Sequence, residues 1–312
     1  MTVQSVSVPR GPFSLAADVH LPNECDPSAR LPAVVLSTPG SSVKEQIGAN
    51  YANRLAARGF VSVVFDPAYQ GASGGEPRDL EDPYERGEDI SYVIDALSVM
   101  DGVDPGRIGV LGICAGGGYA VYTARTDHRI RAVATVVGGN MGDSWRSAAF
   151  APDGPAKALD DLARTRRREA ETETMERLNW LPDTLDDAVA AGITDIDNAQ
   201  AITYYRTPRG SHPRSTNRRL VRSDSLLMGY DAFHLVDQLL TQPLQVILAG
   251  RKGVTGSYEA GMKLWRMAPN PADLLIVEGA GHYEMYDVPE YVDQAVDRLA
   301  TFYDRHLADA AE

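Results

Sequence analysis

The sequence predicts an α/β protein with a mostly parallel, doubly wound sheet and an inserted helical lid. Two observations carry this. Short apolar runs alternate with helix-like segments between residues 31 and 137, and the same alternation resumes at Leu244. Between them, residues 140–237 are charged, helix-prone and without strand signals, which is far too long for an ordinary connection. The apolar runs are continuous rather than alternating, as in strands buried on both faces.

Val3–Val8 and Phe13–Leu21 alternate in polarity and read as an antiparallel pair joined through Arg10-Gly11-Pro12. Ala33–Ser37 is a buried strand, followed by the loop Thr38–Ser42 and a helix from about Lys44 to Arg58, which Gly59 stops. Phe60–Phe65 is the next strand, and Asp66 is expected to cap the loop after it. A helix follows from Asp82-Pro83 to about Met100, then a strand over Arg107–Leu111, a helix over Tyr119–Arg125 and a strand over Ala132–Val137. After the insertion come a strand at Leu244–Ala249, a helix around Ser257–Met267, a strand at Leu274–Glu278 and a final helix from Pro289 to about Leu307. The expected division is therefore a core of residues 1–139 and 238–312 with a lid of residues 140–237.

The chain has 312 residues, 44% of them hydrophobic, enough for a sizeable core. A formal net charge of -13 disfavours nucleic acid and anionic membrane as partners, because both repel an acidic surface. Cys25 and Cys114 are the only cysteines, so neither a disulfide framework nor a Cys-rich zinc site is available. The first residues lack a basic region followed by an apolar stretch, and no apolar run is long enough to span a bilayer. A reducing cytoplasm is the expected location, where a thiol stays reduced. The sequence leaves a homodimer open.

The most informative stretch is Gly112-Ile-Cys-Ala-Gly-Gly-Gly118, at the junction of a strand and a helix. A sharp strand-to-helix turn leaves its central residue exposed above the sheet edge, and glycines two before and two after it avoid clashes. In G-x-S-x-G the central residue is serine; here it is the thiol of Cys114. A buried core cysteine would not need small residues on both sides. A phosphate-binding loop fits poorly, because neither G-x-G-x-x-G nor a closing Lys-Ser/Thr is present. Cys114 is therefore the expected nucleophile.

A thiol is mostly protonated at neutral pH and needs a base or an electropositive site. Of six histidines, His282 in Gly279-Ala-Gly-His-Tyr-Glu284 follows the last expected strand, at the same carboxyl edge as the Cys114 turn. His20 and His306 are expected at the surface, and His128 follows the Cys114 helix at the opposite edge. No H-E-x-x-H or similar spacing suggests a metal, and no cofactor is expected.

The element order, the Cys114 turn and the terminal Gly-x-Gly-His resemble the α/β-hydrolase superfamily, and the G-x-C-x-G-G pattern resembles its dienelactone-hydrolase-like branch. Asp66-Pro-Ala-Tyr-Gln-Gly-Ala-Ser-Gly-Gly-Glu-Pro77, Arg107-Ile-Gly-Val-Leu-Gly112 and Tyr204-Tyr-Arg-Thr-Pro-Arg209 add to that likeness. The resemblance implies an acid just after the Leu244–Ala249 strand, but Arg251-Lys-Gly-Val-Thr255 holds no carboxylate. Asp143, at the start of the insertion, is the expected acid, with Glu259 the alternative; its role is to fix the imidazole tautomer and stabilise its charged form. Asp143 equally suits the N-terminus of a helix, and a thiol–histidine pair can run without a third member. The Ala115 N–H and an N–H of Ser41 or Ser42 are expected to form the oxyanion hole, although Thr38-Pro-Gly40 stands where the superfamily often has His-Gly. Trp145, Tyr204, Tyr205 and His212 are candidate pocket residues in the insertion.

The expected activity is hydrolysis of an ester, lactone or thioester through an S-acyl enzyme, on a small acyl substrate that is free, thioester-linked or bound to a carrier protein. Two alternatives stand beside it. An internal nucleophile could resolve the S-acyl enzyme, as in tetramic-acid-forming Dieckmann cyclases. Absence of the acid would also suit a non-catalytic binding module on the same scaffold.

Overall fold

The computed structural model describes residues 2–23 and 29–308, so Cys25 lies outside the described residues. β1 (Thr2–Arg10) and β2 (Phe13–Leu21) form the expected antiparallel pair in unbroken register from Thr2 opposite Leu21 to Arg10 opposite Phe13. β3 (Leu31–Ser37), α1 (Ile47–Ala56), β4 (Val61–Phe65), α2 (Pro83–Ser98), β5 (Val103–Ile113), α3 (Ala115–Ala124) and β6 (Ile130–Val136) follow. The insertion then contributes α4 (Met141–Arg146), α5 (Pro155–Thr172), β7 (Arg177–Asn179), α6 (Leu185–Ala190), α7 (Ile196–Arg206), β8 (Arg218–Leu220), α8 (Ser223–Gly229) and α9 (Val236–Leu239). The alternation closes with β9 (Leu244–Ala249), α10 (Ser257–Met267), β10 (Pro271–Val277), α11 (Glu284–Asp287) and α12 (Pro289–His306).

Among the described residues, eight strands form one sheet in the order β1-β2-β4-β3-β5-β6-β9-β10. From β4 through β10 every neighbouring pair is parallel, and β2 is antiparallel to both β1 and β4. Successive strand residues point to opposite faces, so the continuous apolar runs feed two cores at once. Val35, Val63 and Val110 pack with Ile90 of α2, Tyr119 of α3 and Leu264 of α10. Val34, Leu36 and Leu111 pack on the other face with Tyr51 of α1 and with Val292 and Leu299 of α12.

The structure departs from the sequence expectations in a few places, each with a physical cause. The insertion contains a short antiparallel pair, β7 with β8, whose three-residue strands are too brief to show a period. α1 starts three residues later than expected, because the Gln46 side chain closes a turn by accepting from the Val43 N–H at 2.9 Å. α3 starts at Ala115, within the glycine run whose low helix propensity hid it. β5 begins at Val103, and a register shift against β3 and β6 accommodates the exposed turn before Ile108. His20 is buried rather than on the surface; its Nδ1 meets the Asn53 side chain at 2.7 Å, and burial lowers its pKa. Asp66 caps its loop as expected, accepting from the N–H groups of Lys44 and Ala72 at 2.7 Å each.

This topology positions the site. β3 and β5 are neighbours, yet the helices after them lie on opposite faces, which opens a crevice at their carboxyl ends. The loop Thr38–Ser42 lines one side of that crevice, and Cys114 begins the other.

Candidate active site

Cys114 lies between the last residue of β5 and the first of α3, with φ +55° and ψ -122°. Such a backbone costs a non-glycine residue on the order of 1–3 kcal/mol and persists only where the surroundings hold it. Here they do. The Cys114 N–H donates to the Val136 carbonyl at 3.1 Å, and its own carbonyl accepts from the N–H groups of Gly117 and Gly139, both at 2.9 Å. The flanking glycines are required by close approach. A Cβ on Gly112 would stand 2.3 Å from the Gly116 carbonyl oxygen, and one on Gly116 would stand 2.0 Å from that of Ser37.

Cys114 is half-buried. Burial pushes its thiol pKa up, and the Tyr286 hydroxyl, the Ala115 N–H and the Arg86 guanidinium reverse only part of that rise. Arg86 is itself buried on α2 and donates to the Thr38 and Pro39 carbonyls at 2.5 and 3.4 Å, fixing the loop opposite Cys114. In that loop the Ser42 N–H already donates to the Pro39 carbonyl at 3.3 Å, and the buried Ser42 hydroxyl faces the Gln46 side chain at 3.2 Å. The expectation for Ser42 is therefore corrected, since its amide is engaged within its own turn. Ser41, at φ +64°, stays as the loop candidate beside Ala115.

His282 lies in the turn between β10 and α11 and is buried. α1 secures that turn: the Tyr51 hydroxyl donates to the Met285 carbonyl at 2.7 Å and Asn50 Nδ2 to the Tyr286 carbonyl at 2.9 Å. Arg251, in the loop after β9 where a carboxylate was sought, packs against Gly281 and pairs with Glu284 at 2.7 Å. His282 Nδ1 meets the Ser257 hydroxyl at 2.9 Å, and Nε2 faces the Tyr286 hydroxyl at a long 3.4 Å. Desolvation lowers the imidazole pKa to about 3, so the ring is neutral at physiological pH.

Neither expected acid reaches this ring. Asp143 is indeed in the first turn of α4, where it pairs with Arg146 at 2.8 Å and Lys263 at 2.9 Å, and those partners lower its pKa against the effect of burial. Glu259 is well exposed on α10, 3.8 Å from Lys252. The position facing Nδ1 is instead held by Ser257, the first residue of α10. A buried carboxylate, Asp197 of α7, does occupy the loop after β9: it accepts from the Thr255 N–H at 3.2 Å, and a Cβ on Gly253 would overlap it. The Thr255 hydroxyl lies 3.2 Å from that of Ser257.

Sequence reasoning missed Ser257 and Tyr286. The spacing of His282 and Tyr286, one helical turn apart, was the available signal for the second. Ser257 carried no signal, because its partner is 25 residues away.

The insertion packs over this edge. Trp180 sits 3.2 Å from where a Gly40 Cβ would be, Ser215 Oγ donates to the Ser41 carbonyl at 2.7 Å, and Gln46 Nε2 donates to the Gly210 carbonyl at 2.7 Å. Of the candidate pocket residues, Tyr204 and Tyr205 join Tyr286 in an edge-to-face aromatic cluster, with ring centroids 5.1 and 6.2 Å from it. His212 lines a cleft of about 320 Å³ with Tyr204, Gln46 and Tyr286. Trp145 meets this edge through Trp180, edge-to-face with centroids 5.7 Å apart. It stacks on Phe150 at 4.3 Å, bonds Asp224 at 3.0 Å and belongs to a small core of the insertion with Leu227 and Met228.

The model of the X-Pro dipeptidyl-peptidase (S15 family) matches residues 11–208, which include Cys114 and its turn. The chain belongs to this family. It is also similar to the uncharacterized protein YcjY of Escherichia coli K12, with 37% identity over 95% of both chains. The uncharacterized protein PA2218 of Pseudomonas aeruginosa is 33% identical over 95% of this chain and 78% of its own; its crystal structure superposes with a TM-score of 0.86 over 98% of this chain and 94% of that one, at 31% identity. A thiohydrolase of Aspergillus aculeatus, aneE, is 32% identical over 34% of this chain and 33% of its own. The fold is thus that of the α/β hydrolases, and the S15 chain is an enzyme of the hydrolase class. Among the described residues, no helix is long and apolar enough to cross a membrane.

Proposed function

We propose that this S15-family hydrolase uses Cys114 as the nucleophile on a thioester or activated ester, with His282 as the base and, among the described residues, no carboxylate in direct contact with the imidazole. The observation that carries the proposal is the strained position of Cys114 beside the Ala115 N–H, with the neutral His282 imidazole facing Tyr286, which also partners the thiol. Attack by Sγ on the acyl carbon forms an S–C bond and breaks the carbon–leaving-group bond. The thiol proton passes to His282 and from there to the leaving group, giving an S-acyl enzyme that water then cleaves. The Ala115 N–H and a donor from the Ser41 loop would stabilise the oxyanion.

The electrostatics favour one class of substrate. Burial makes the imidazolium costly, and Ser257 offers no negative charge to offset that cost. A thiolate leaves with little help from an acid, having a pKa of about 8.5, whereas an amine must be protonated to leave. The site therefore suits exchange of one thioester for another better than peptide cleavage. The partial relative named a thiohydrolase and the G-x-C-x-G-G likeness to the dienelactone-hydrolase-like branch support the same reading. On this reading the insertion is a lid, and no cofactor is needed.

The test compares kcat/KM for S-acyl-N-acetylcysteamine thioesters with that for the matching N-acyl amides and an Xaa-Pro p-nitroanilide. Preference for the thioester, abolished in Cys114→Ala, is expected. Equal or faster cleavage of the amides would refute the assignment.

A further inference from the structure

The hydrogen bonds of His282 leave its Nε2 facing a phenol rather than the thiol. The Tyr286 hydroxyl lies 3.4 Å from that nitrogen, and the same hydroxyl is the side-chain partner of the Cys114 thiol. Tyr286 is fully buried, with its ring centroid 5.6 Å from the imidazole and its carbonyl tied to Asn50. The i, i+4 spacing from His282 fixes this relation through one turn of backbone, in which the Met285 N–H bonds the Gly281 carbonyl. A hydroxyl set between a nucleophile and its base can accept from one and donate to the other at the same moment.

We propose that Tyr286 is a third catalytic residue, whose hydroxyl carries the proton between Cys114 Sγ and His282 Nε2. In acylation the S–H bond breaks as an O–H bond forms on Tyr286, while the original Tyr286 O–H breaks and an N–H bond forms on Nε2. The phenol is regenerated, the sulfur becomes nucleophilic and the imidazole carries the charge. The reverse transfer through the same hydroxyl supplies the proton to the departing thiolate. Concerted movement avoids a charged phenol, which the apolar surroundings would penalise; burial holds the Tyr286 pKa well above its ordinary value, so a phenolate is not an intermediate. Ser257 holds the far side of the ring and so aims Nε2 at the phenol.

This rests on Cys114 being the nucleophile, and the experiment separates the two. Pre-steady-state acylation by an S-acyl-N-acetylcysteamine thioester is measured for the wild type, Tyr286→Phe and Cys114→Ala in mixtures of H2O and D2O. Phe keeps the ring and its packing, and circular dichroism together with the urea midpoint reports whether the fold is retained. The expected result is a loss of about 10²-fold in the acylation rate of Tyr286→Phe. A curved dependence on deuterium fraction in the wild type, from two protons in flight, should become linear in the variant. An acylation rate that is unchanged or faster in Tyr286→Phe, or a dependence equally curved in both proteins, would overturn the relay. Acylation surviving in Cys114→Ala would instead overturn the nucleophile on which it rests.

Discussion

The backbone strain at Cys114 makes a prediction of unusual sign. At an ordinary buried position, replacing Ala by Gly loses about 0.8 kcal/mol of methyl burial and about 0.5–1 kcal/mol of chain entropy, a total of ~1.3–1.8 kcal/mol. At residue 114, with φ +55° and ψ -122°, alanine keeps the strained backbone and glycine does not. Relief of ~1–3 kcal/mol offsets that loss, so the midpoint of the estimate leaves Cys114→Gly more stable than Cys114→Ala by about 0.5 kcal/mol. Both variants lack the thiol, so the comparison isolates the backbone. Urea unfolding followed by circular dichroism and by fluorescence, with coincident transitions required, gives the difference. If Cys114→Gly is less stable than Cys114→Ala by about 1.5 kcal/mol or more, as at any unstrained site, the turn stores no strain and the reasoning is refuted.

Gly116→Ala should destabilise the protein by about 3 kcal/mol, the upper end for overpacking, because its Cβ would meet backbone atoms of Ser37 and Thr38; a urea midpoint equal to wild type would contradict this. Asp143→Asn and Glu259→Gln should leave kcat/KM for a thioester unchanged, whereas Ser257→Ala should lower it on the order of 10-fold, or ~1.4 kcal/mol; steady-state assays of the three variants decide the matter. A His282 pKa lowered to about 3 means that the unfolded chain binds more protons than the native one between about pH 3 and 6.5. Stability from this group is therefore complete above pH 6.5 and is lost as pH falls through that window. The Asp89 carboxyl, raised by burial to about 6, acts in the opposite direction between about pH 4 and 6. The difference in unfolding free energy between wild type and His282→Gln isolates the histidine, and it should shrink with acid. A difference independent of pH would refute a buried neutral imidazole.

Much of the fold was legible because its signals are local. The core strands β3, β4, β6, β9 and β10 are short apolar runs whose type follows from length and continuity. The turn at Cys114 was legible for a different reason: close backbone approach leaves room only for glycine at 112 and 116, and glycine is visible in sequence. His282 stood out by following the last strand in a glycine-rich turn. What failed was long-range. Asp143 and Glu259 were chosen by position along the chain; Arg146 lies one helical turn from Asp143, but its second partner, Lys263, is 120 residues away. Ser257 and Asp197 reach the loop after β9 from different elements, one of them in the insertion. Ser42 was excluded only by a hydrogen bond within its own turn. The paired strands β7 and β8 were too short for any period to show.

The most direct test of the account is the intact mass of the protein quenched within seconds of mixing with an S-acyl thioester. The expected result is a mass increase equal to one acyl group, removed by neutral hydroxylamine and absent in Cys114→Ala. Turnover of the thioester that persists in Cys114→Ala, or an adduct carried by another residue, would contradict the central claim that this hydrolase works through the thiol of Cys114.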